Sequence, residues 1–426
     1  MSTKLDWEIP RNERSYLREL AKKQAEYAAL PVMEQRKRQM LDLNDGKKGA
    51  RPPIIIETWT FDRDFLPDSV FRCKSEPARS IEGQLLRNIR NHEFINDDKA
   101  IPDCFGMGWD VAIDELGFNI EADRVKDSQG VETGYHFIHP IKDLKQDFHI
   151  LKPATHTVNR ELTALKKAFY EELFQGILAV RLGSYPFGNR SLTQTVVRLM
   201  GMEAFFVAIY DQPDEVHRLM GYLRDNSLDV AHWAEKEGLL IPNNGPYDST
   251  ASSPHLTTKL PAPGYKGGPA RLCDMWGGAE SQETVGISPD MFHEFCFPYY
   301  RDVCQPLGLL YYGCCEPAHP FWGDISQLPH LKKISISRWC NEKFMGEALR
   351  GTDIVFSRKP NPNLLGVDVN LDEEAWSTHI RETLEAAPGV AVEFIVRDVY
   401  TVHGNLNKPK RAVELARAQL EKHYRA

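Results

Sequence analysis

A chain of 426 residues, 42% hydrophobic and 26% charged, has the make-up of a globular protein with a sizeable core, which excludes the low-hydrophobicity, high-charge regime of disordered chains. A formal net charge of −8 without a long basic run argues against a nucleic-acid partner, which would need a positive face for phosphates. No apolar stretch approaches the roughly 18 residues that cross a bilayer, and the opening MSTKLDWEIPRNER lacks a signal peptide's apolar segment, so no membrane association and a cytoplasmic protein with eight reduced cysteines are expected.

Residues Ser15 to Asn44 carry strong helix formers interrupted at Pro31, which predicts two charged, partly amphipathic helices in an N-terminal extension spanning residues 1–50. Such helices offer a surface for a homodimer. Residues 51–426 read differently. After the breaker DGKKGARPP comes IIIETW at Ile54 to Trp59, a short β-branched run suited to a strand buried on both faces. Comparable runs follow: CFGMGWDVAI from Cys104, GILAVRLG from Gly176, ARLCDMW from Ala270, GLLYYGC from Gly308, KKISIS from Lys332, TDIVFSR from Thr352 and AVEFIVRD from Ala391.

Helical patterns separate these runs, as between Met202 and Gly238 and between Ser288 and Gly308, where Ser288 is placed to cap and Pro289 to open the helix. Repeated strand, helix, strand units imply a parallel sheet, and eight of them predict an α/β fold of the closed (β/α)₈ TIM-barrel type. Two polar stretches exceed simple connections: 123–156, which reads as an insertion with its own small hairpin, and 241–270, a loop long enough to form a lid or binding loop. No G-x-G-x-x-G or P-loop fingerprint follows a strand, so a dinucleotide or nucleotide phosphate site has no support.

In a barrel, active sites form where the strands end and their following loops begin. The polar residues at those ends are Glu57, Asp110, the group Asp274, Trp276, Glu280, Gln282 and Glu283, the group Cys314, Cys315, Glu316 and His319, then Arg338, Cys340, Arg358, Lys359, Arg397, Asp398 and His403. Cys314, Cys315, Glu316 and His319 supply the three donor types that zinc accepts; the alternative is two core thiols and a surface imidazole. Adjacent cysteines on a strand point to opposite faces, so both reach one ion only if the chain turns there. A redox pair is expected as C-x-x-C, which a vicinal pair is not. Asp274, Glu280 and Glu283 are candidates for general acid or base chemistry, or else solvent-facing carboxylates. Trp59, Met107, Trp109, Tyr185, Trp276, Tyr312 and Arg338 are candidates to line a substrate pocket, or core residues.

Six blocks in this order resemble a known family: MEAFFVAIYDQPDEVHRLM, AESQETVGISPDMFHEFCFPYYRDV, YYGCCEPAH, ISISRWCNEKFMGEAL, VFSRKPNPN and VEFIVRDVYTVHG. From about Pro52 to His403 the chain is similar to the uroporphyrinogen decarboxylase superfamily, and within it to the corrinoid-protein methyltransferases that demethylate small methylated substrates. The resemblance implies a TIM-type barrel and transfer of a methyl group from an O-methylated, methoxyaromatic substrate to the Co(I) corrinoid (cobalamin) of a partner protein. The decarboxylases proper carry an arginine motif after the first strand, where this chain reads ETWTFDRDF with Glu57.

The zinc enzymes of the superfamily hold metal through a His-x-Cys pair after the fifth strand and a cysteine after the eighth. Cys314 matches the pair's cysteine, Tyr312 stands in the histidine's place, and Val402 and His403 occupy the last-strand region; Cys315, Glu316, His319 and His403 are the local substitutes. Glu57 and Glu283, with Asp274, are then the acids expected to assist the leaving oxygen. Two other readings stand beside this one. A cofactor-independent decarboxylase predicts an arginine aimed into the pocket, from among Arg181, Arg338, Arg358 and Arg397; a non-catalytic corrinoid-protein-binding homologue predicts a pocket closed by side chains.

Overall fold

The computed structural model describes residues 7–126, 132–185 and 189–424. The chain opens with α1 (Arg11–Ala28) and α2 (Pro31–Asn44). Leu17, Leu20, Ala21 and Gln24 recur at helical spacing and are buried as one stripe of α1. Gln24 donates to the carbonyls of Pro102 and Cys104, and Asn44 to those of Pro254 and Leu256, so the extension is fastened to the rest of the chain. The buried stripe of α1 is covered within the chain itself.

The strands follow as β1 (Ile54–Ile56), β2 (Cys104–Met107), β3 (Val111–Asp114), β4 (Ala122–Lys126), β5 (Glu132–Phe137), β6 (Thr155–Val158), β7 (Ala179–Leu182), β8 (Asn189–Arg190), β9 (Ser249–Thr250), β10 (Ser253–Pro254), β11 (Trp276–Ala279), β12 (Leu309–Tyr312), β13 (Leu331–Ile336), β14 (Val355–Arg358) and β15 (Val392–Val396). Seven of them form one parallel sheet in the order β1, β15, β14, β13, β12, β11, β8. Helices connect its neighbours, giving a mixed α/β architecture. β2 and β7 form a separate parallel pair. At the edge of the sheet, the amides of Ile54 and Ile56 donate to the carboxylates of Asp98 and Asp97, which satisfies donors that β1 would otherwise leave open.

Two predicted strands differ in place. CFGMGWDVAI divides into β2 and β3, because Asp110 turns the chain, its amide held by Thr163, and β3 then pairs antiparallel with β6. ARLCDMW ends where β11 begins. Its Leu272–Asp274 portion is a 3₁₀ turn in which the Asp274 carboxylate accepts from the amides of Arg271 and Ala262. The stretch 123–156 contains the antiparallel hairpin β4–β5, whose turn lies outside the described residues.

Register divides the sheet into two unlike faces. Leu310, Tyr312, Ile334, Ile336, Phe356 and Phe394 alternate onto one face and pack with the helices in the main hydrophobic core. Tyr311, Lys333, Ser335, Ser357 and Glu393 fall on the other face through the pairings Tyr311 to Lys333, Ser335 to Ser357 and Ser357 to Glu393. This second face is polar yet fully buried. It is covered by the β9–β10 hairpin, which belongs to the 241–270 stretch read as a lid; Ser253 and His255 are instead almost wholly enclosed.

Candidate active site

At the centre of the polar face stands an ion pair. Lys333 Nζ lies 3.0 Å from Glu393 Oε2, and both side chains are fully buried. The ammonium also donates to Ser253 Oγ and the Pro254 carbonyl, both at 2.8 Å, so all three of its hydrogens are used. Burial pushes the Glu393 carboxyl up, but Lys333, Lys359 and the hydroxyls of Ser253 and Ser357 hold it below the usual carboxylate range. The hairpin is thereby pinned to two strands by a charged node.

The same alternation carries Glu57, Lys359 and Arg397, each two residues beyond an inward residue, onto this face just past the strand ends. Glu57 is buried; its Oε2 accepts from Ser252 Oγ at 2.7 Å, while Oε1 has no hydrogen-bond partner. Arg397 Nε stands 3.7 Å from Glu57 Oε1 and 3.7 Å from Asp398 Oδ1. Nε and Nη1 of Arg397 are buried without a hydrogen bond. Burial opposes the Arg397 charge, yet Glu57, Cys314 and Asp398 raise its affinity for the proton further. Burial, aided by Arg397, pushes the Lys359 amine down to about 7, against the pull of Glu393.

Of these residues, Arg397 borders a cavity of about 450 Å³. One wall is aromatic. Trp276 stacks on His255 with ring centroids 5.0 Å apart at 12°, and its indole N–H donates to the His255 carbonyl; Tyr185 also lines the cavity. His255 is held between the Asn243 carbonyl and Thr250 Oγ1, and burial with the nearby Lys333 charge pushes its imidazole down to about 3, leaving it neutral. Cys314 and Arg397 also line the cavity. A wider cleft of about 880 Å³ adjoins at Gly183 and is bordered by Met107, Arg181 and Tyr247.

Cys314 and Cys315 follow a turn rather than continuing the strand. Gly313 takes φ +96°, and a Cβ there would stand 3.0 Å from Ser335 Cβ. The turn ends the alternation, so both sulfurs come to the same side, 3.6 Å apart. Glu316 folds beneath them. Its two oxygens accept from the amides of Ser281 and Cys314, and burial together with Glu280 pushes its carboxyl up to about 7.

The metal set drawn from the resemblance does not assemble. Both Glu316 oxygens are taken by backbone amides. His319 Nδ1 accepts from the Asn341 amide, with its ring against Phe344, and His403 Nε2 bonds the Val367 carbonyl. Among the described residues no group of three or more His, Cys, Asp or Glu side chains is placed to hold a metal ion. Zinc does not fit the donors present.

Other candidates are dispersed. Asp274 is enclosed by Arg271, which donates through Nε and Nη2, and these bonds hold its carboxyl low although burial opposes them. Glu283 accepts from Thr193 Oγ1, and burial with neighbouring Glu280 pushes its carboxyl up. Tyr312 faces the helices and bonds Ser281 Oγ at 2.6 Å. Trp59 is exposed, Trp109 packs beside Leu239 and Met275, and Arg338 lies over Trp339. Arg181 pairs with Asp248, and Arg358 is consumed by Glu342 and the carbonyls of Ile336 and Ser337. Tyr185, Trp276, Cys314 and Arg397 are the residues of the sequence reading that meet at the smaller cavity, with Glu57 3.7 Å from Arg397.

Sequence reasoning did not find His255, Lys333 or Glu393. A signal existed for two of them, since a charge in the middle of KKISIS and of AVEFIV demands a buried partner.

No family model and no curated protein matches the chain. Among solved structures it is similar to a methyltransferase from Methanosarcina mazei. The likeness has a TM-score of 0.51 at 13% identity and covers 90% of this chain and 98% of the other. At that identity it is a likeness of fold. Among the described residues no single helix is long and apolar enough to cross a membrane.

Proposed function

We propose that the protein is a methyltransferase that moves a methyl group from a small O-methylated, methoxyaromatic substrate to the Co(I) corrinoid of a separate partner protein. The observation that carries this reading is the 450 Å³ cavity, lined by the rings of Trp276 and Tyr185 and by Arg397, whose Nε and Nη1 make no hydrogen bond. Such a space suits one planar ring with its ether oxygen turned toward the cation. The fold likeness to a solved methyltransferase supports it. So does the convergence of β7 and β15 ends on the same cavity, from which we infer that the parallel strands close as a barrel, the β2–β7 pair standing between β1 and β8.

The partner's reduced corrinoid supplies the nucleophile. This chain's residues hold the ring and manage the leaving oxygen. Trp276 and Tyr185 fix the plane of the ring, and Arg397 stabilises the negative charge that develops as the O–CH₃ bond breaks and its electron pair stays on oxygen. Lys359, with its affinity near neutrality and within electrostatic reach of Arg397, is the group we assign to return a proton. Incubation of the protein with a reduced corrinoid protein and a panel of methoxylated aromatics tests this, read as release of the free phenol. No phenol from any member of the panel would refute it.

Arg397 also favours a second reading, a cofactor-independent decarboxylase, because an arginine lining the cavity with hydrogen-bond donors to spare is what that reading requires. Carbon dioxide released from an aromatic acid with no corrinoid present would select it.

A further inference from the structure

We propose that Cys314 and Cys315 form a redox-modification site, a vicinal dithiol that a hydroperoxide converts reversibly to a disulfide. The spacing of the pair speaks against a thioredoxin-type motif, but its surroundings supply the parts that thiol oxidation needs. The sulfurs lie 3.6 Å apart. Cys314 is fixed through its backbone, its amide donating to Glu316 and its carbonyl accepting from Ser335 Oγ. It borders the cavity, which gives a small oxidant a path to its sulfur. Cys315 Sγ donates to Asp398 Oδ2 at 3.2 Å. Asp398 itself adopts φ +61°, a conformation that aspartate tolerates better than most residues and that here aims its carboxylate at the thiol.

The two thiols are unequal. The contact with Cys315, supported by the Arg397 charge, holds the Cys314 thiol below its ordinary range although burial opposes it. The same contact, burial and the Asp398 carboxylate push Cys315 up. Cys314, which borders the cavity, is the attacking sulfur, and Cys315, bonded to Asp398, the resolving one. Cys314 attacks one oxygen of hydrogen peroxide; the O–O bond breaks, and the departing hydroxide takes a proton and leaves as water. Cys315 then attacks the sulfenic sulfur of Cys314. The S–S bond forms, the S–O bond breaks, and a second water leaves carrying the Cys315 proton, relayed by Asp398. Two thiols and one peroxide give one disulfide and two waters, with two electrons passing from sulfur to oxygen.

Neighbouring Cα atoms are about 3.8 Å apart across a trans peptide, below the roughly 4.4 Å that relaxed disulfides require. The product is a strained, easily reduced bond, suited to a reversible mark rather than a permanent staple. The proposal is independent of the reaction catalysed.

The full-length protein, treated with graded hydrogen peroxide in the presence of a chelator and then alkylated and digested, gives a direct test by peptide mass. The expected result is an internal disulfide, about 2 Da lighter than the dithiol, at tenfold less peroxide than modifies any of the other six cysteines, and reversed by dithiothreitol. Cys315→Ser should halt at a sulfenic acid on Cys314 trapped by dimedone, and Asp398→Asn should let the same species accumulate before closure. Cys314 passing to sulfinic acid while Cys315 stays free, or all cysteines reacting alike, would overturn the proposal, and either result is read on the unmutated protein.

Discussion

Replacing Lys333 by Met separates a buried charge from its counter-ion and so tests whether the polar face of the sheet is held by the node described above. The ammonium makes three hydrogen bonds, two of them to the β9–β10 hairpin, and Glu393 is fully buried beside it. Removing one member of such a pair leaves the other uncompensated and costs about 3–5 kcal/mol. Unfolding entropy of about 2.1 cal/mol/K per residue gives on the order of 0.9 kcal/mol/K for this chain, so the loss corresponds to a fall in Tm of about 3–6 °C. Differential scanning calorimetry near pH 7 reads it directly. The double variant Lys333→Met with Glu393→Leu removes both charges and should recover most of the loss. A single-variant shift under about 1 °C, or a double variant less stable than the two single losses added, would refute the assignment of the pair as a mutually dependent unit.

Arg397→Lys keeps the charge beside Glu57 and Asp398 but loses the planar fork; under the proposed reaction, phenol release should fall by about 10²-fold with Tm little changed, since Nε and Nη1 of Arg397 make no hydrogen bond. Glu316 has its carboxyl raised from 4.5 to about 7, so the fold favours the neutral form. Its contribution is present below about pH 4.5 and is lost as pH rises through about 7, so wild type relative to Glu316→Gln should lose about 3 kcal/mol across that window by urea titration; parallel stability curves would contradict this. Gly313→Ala forces a Cβ into the left-handed region and against Ser335, and should cost more than about 1 kcal/mol in urea while changing the rate at which Cys314 reacts with a thiol reagent.

Much of the sheet was legible because β-branched runs such as IIIE, KKISIS and AVEFIV sit between turn residues, and the structure places strands at all three. Period-two alternation was legible in principle as well, and it alone puts Glu57 and Arg397 on one face. What the sequence did not disclose is where the chain turns within a run. Gly313 redirects Cys314 and Cys315, and Asp274 serves as a local cap, so a carboxylate read as chemical is consumed by Arg271. Proximity in sequence also misled for His319, which is close to Cys314 along the chain but is carried by a separate 3₁₀ turn to Asn341. The burial of Ser253 and His255 within the 241–270 stretch was hidden for a related reason, because the polar composition there matched the hidden polar face of the sheet rather than solvent.

That burial ties distant parts of the polypeptide into one bolt. Asp45, Glu57, Lys333 and Glu393 all bond to residues between Ser252 and Thr258, so the middle of the chain is the keystone on which both ends close. A chain nicked within the exposed 263–268 region should therefore keep its two fragments together as one particle, while neither fragment expressed alone has the means to complete its sheet. Cooperativity in this fold is thus carried through a few ionic and hydroxyl contacts at long sequence range, and the cavity inherits its rigidity from them.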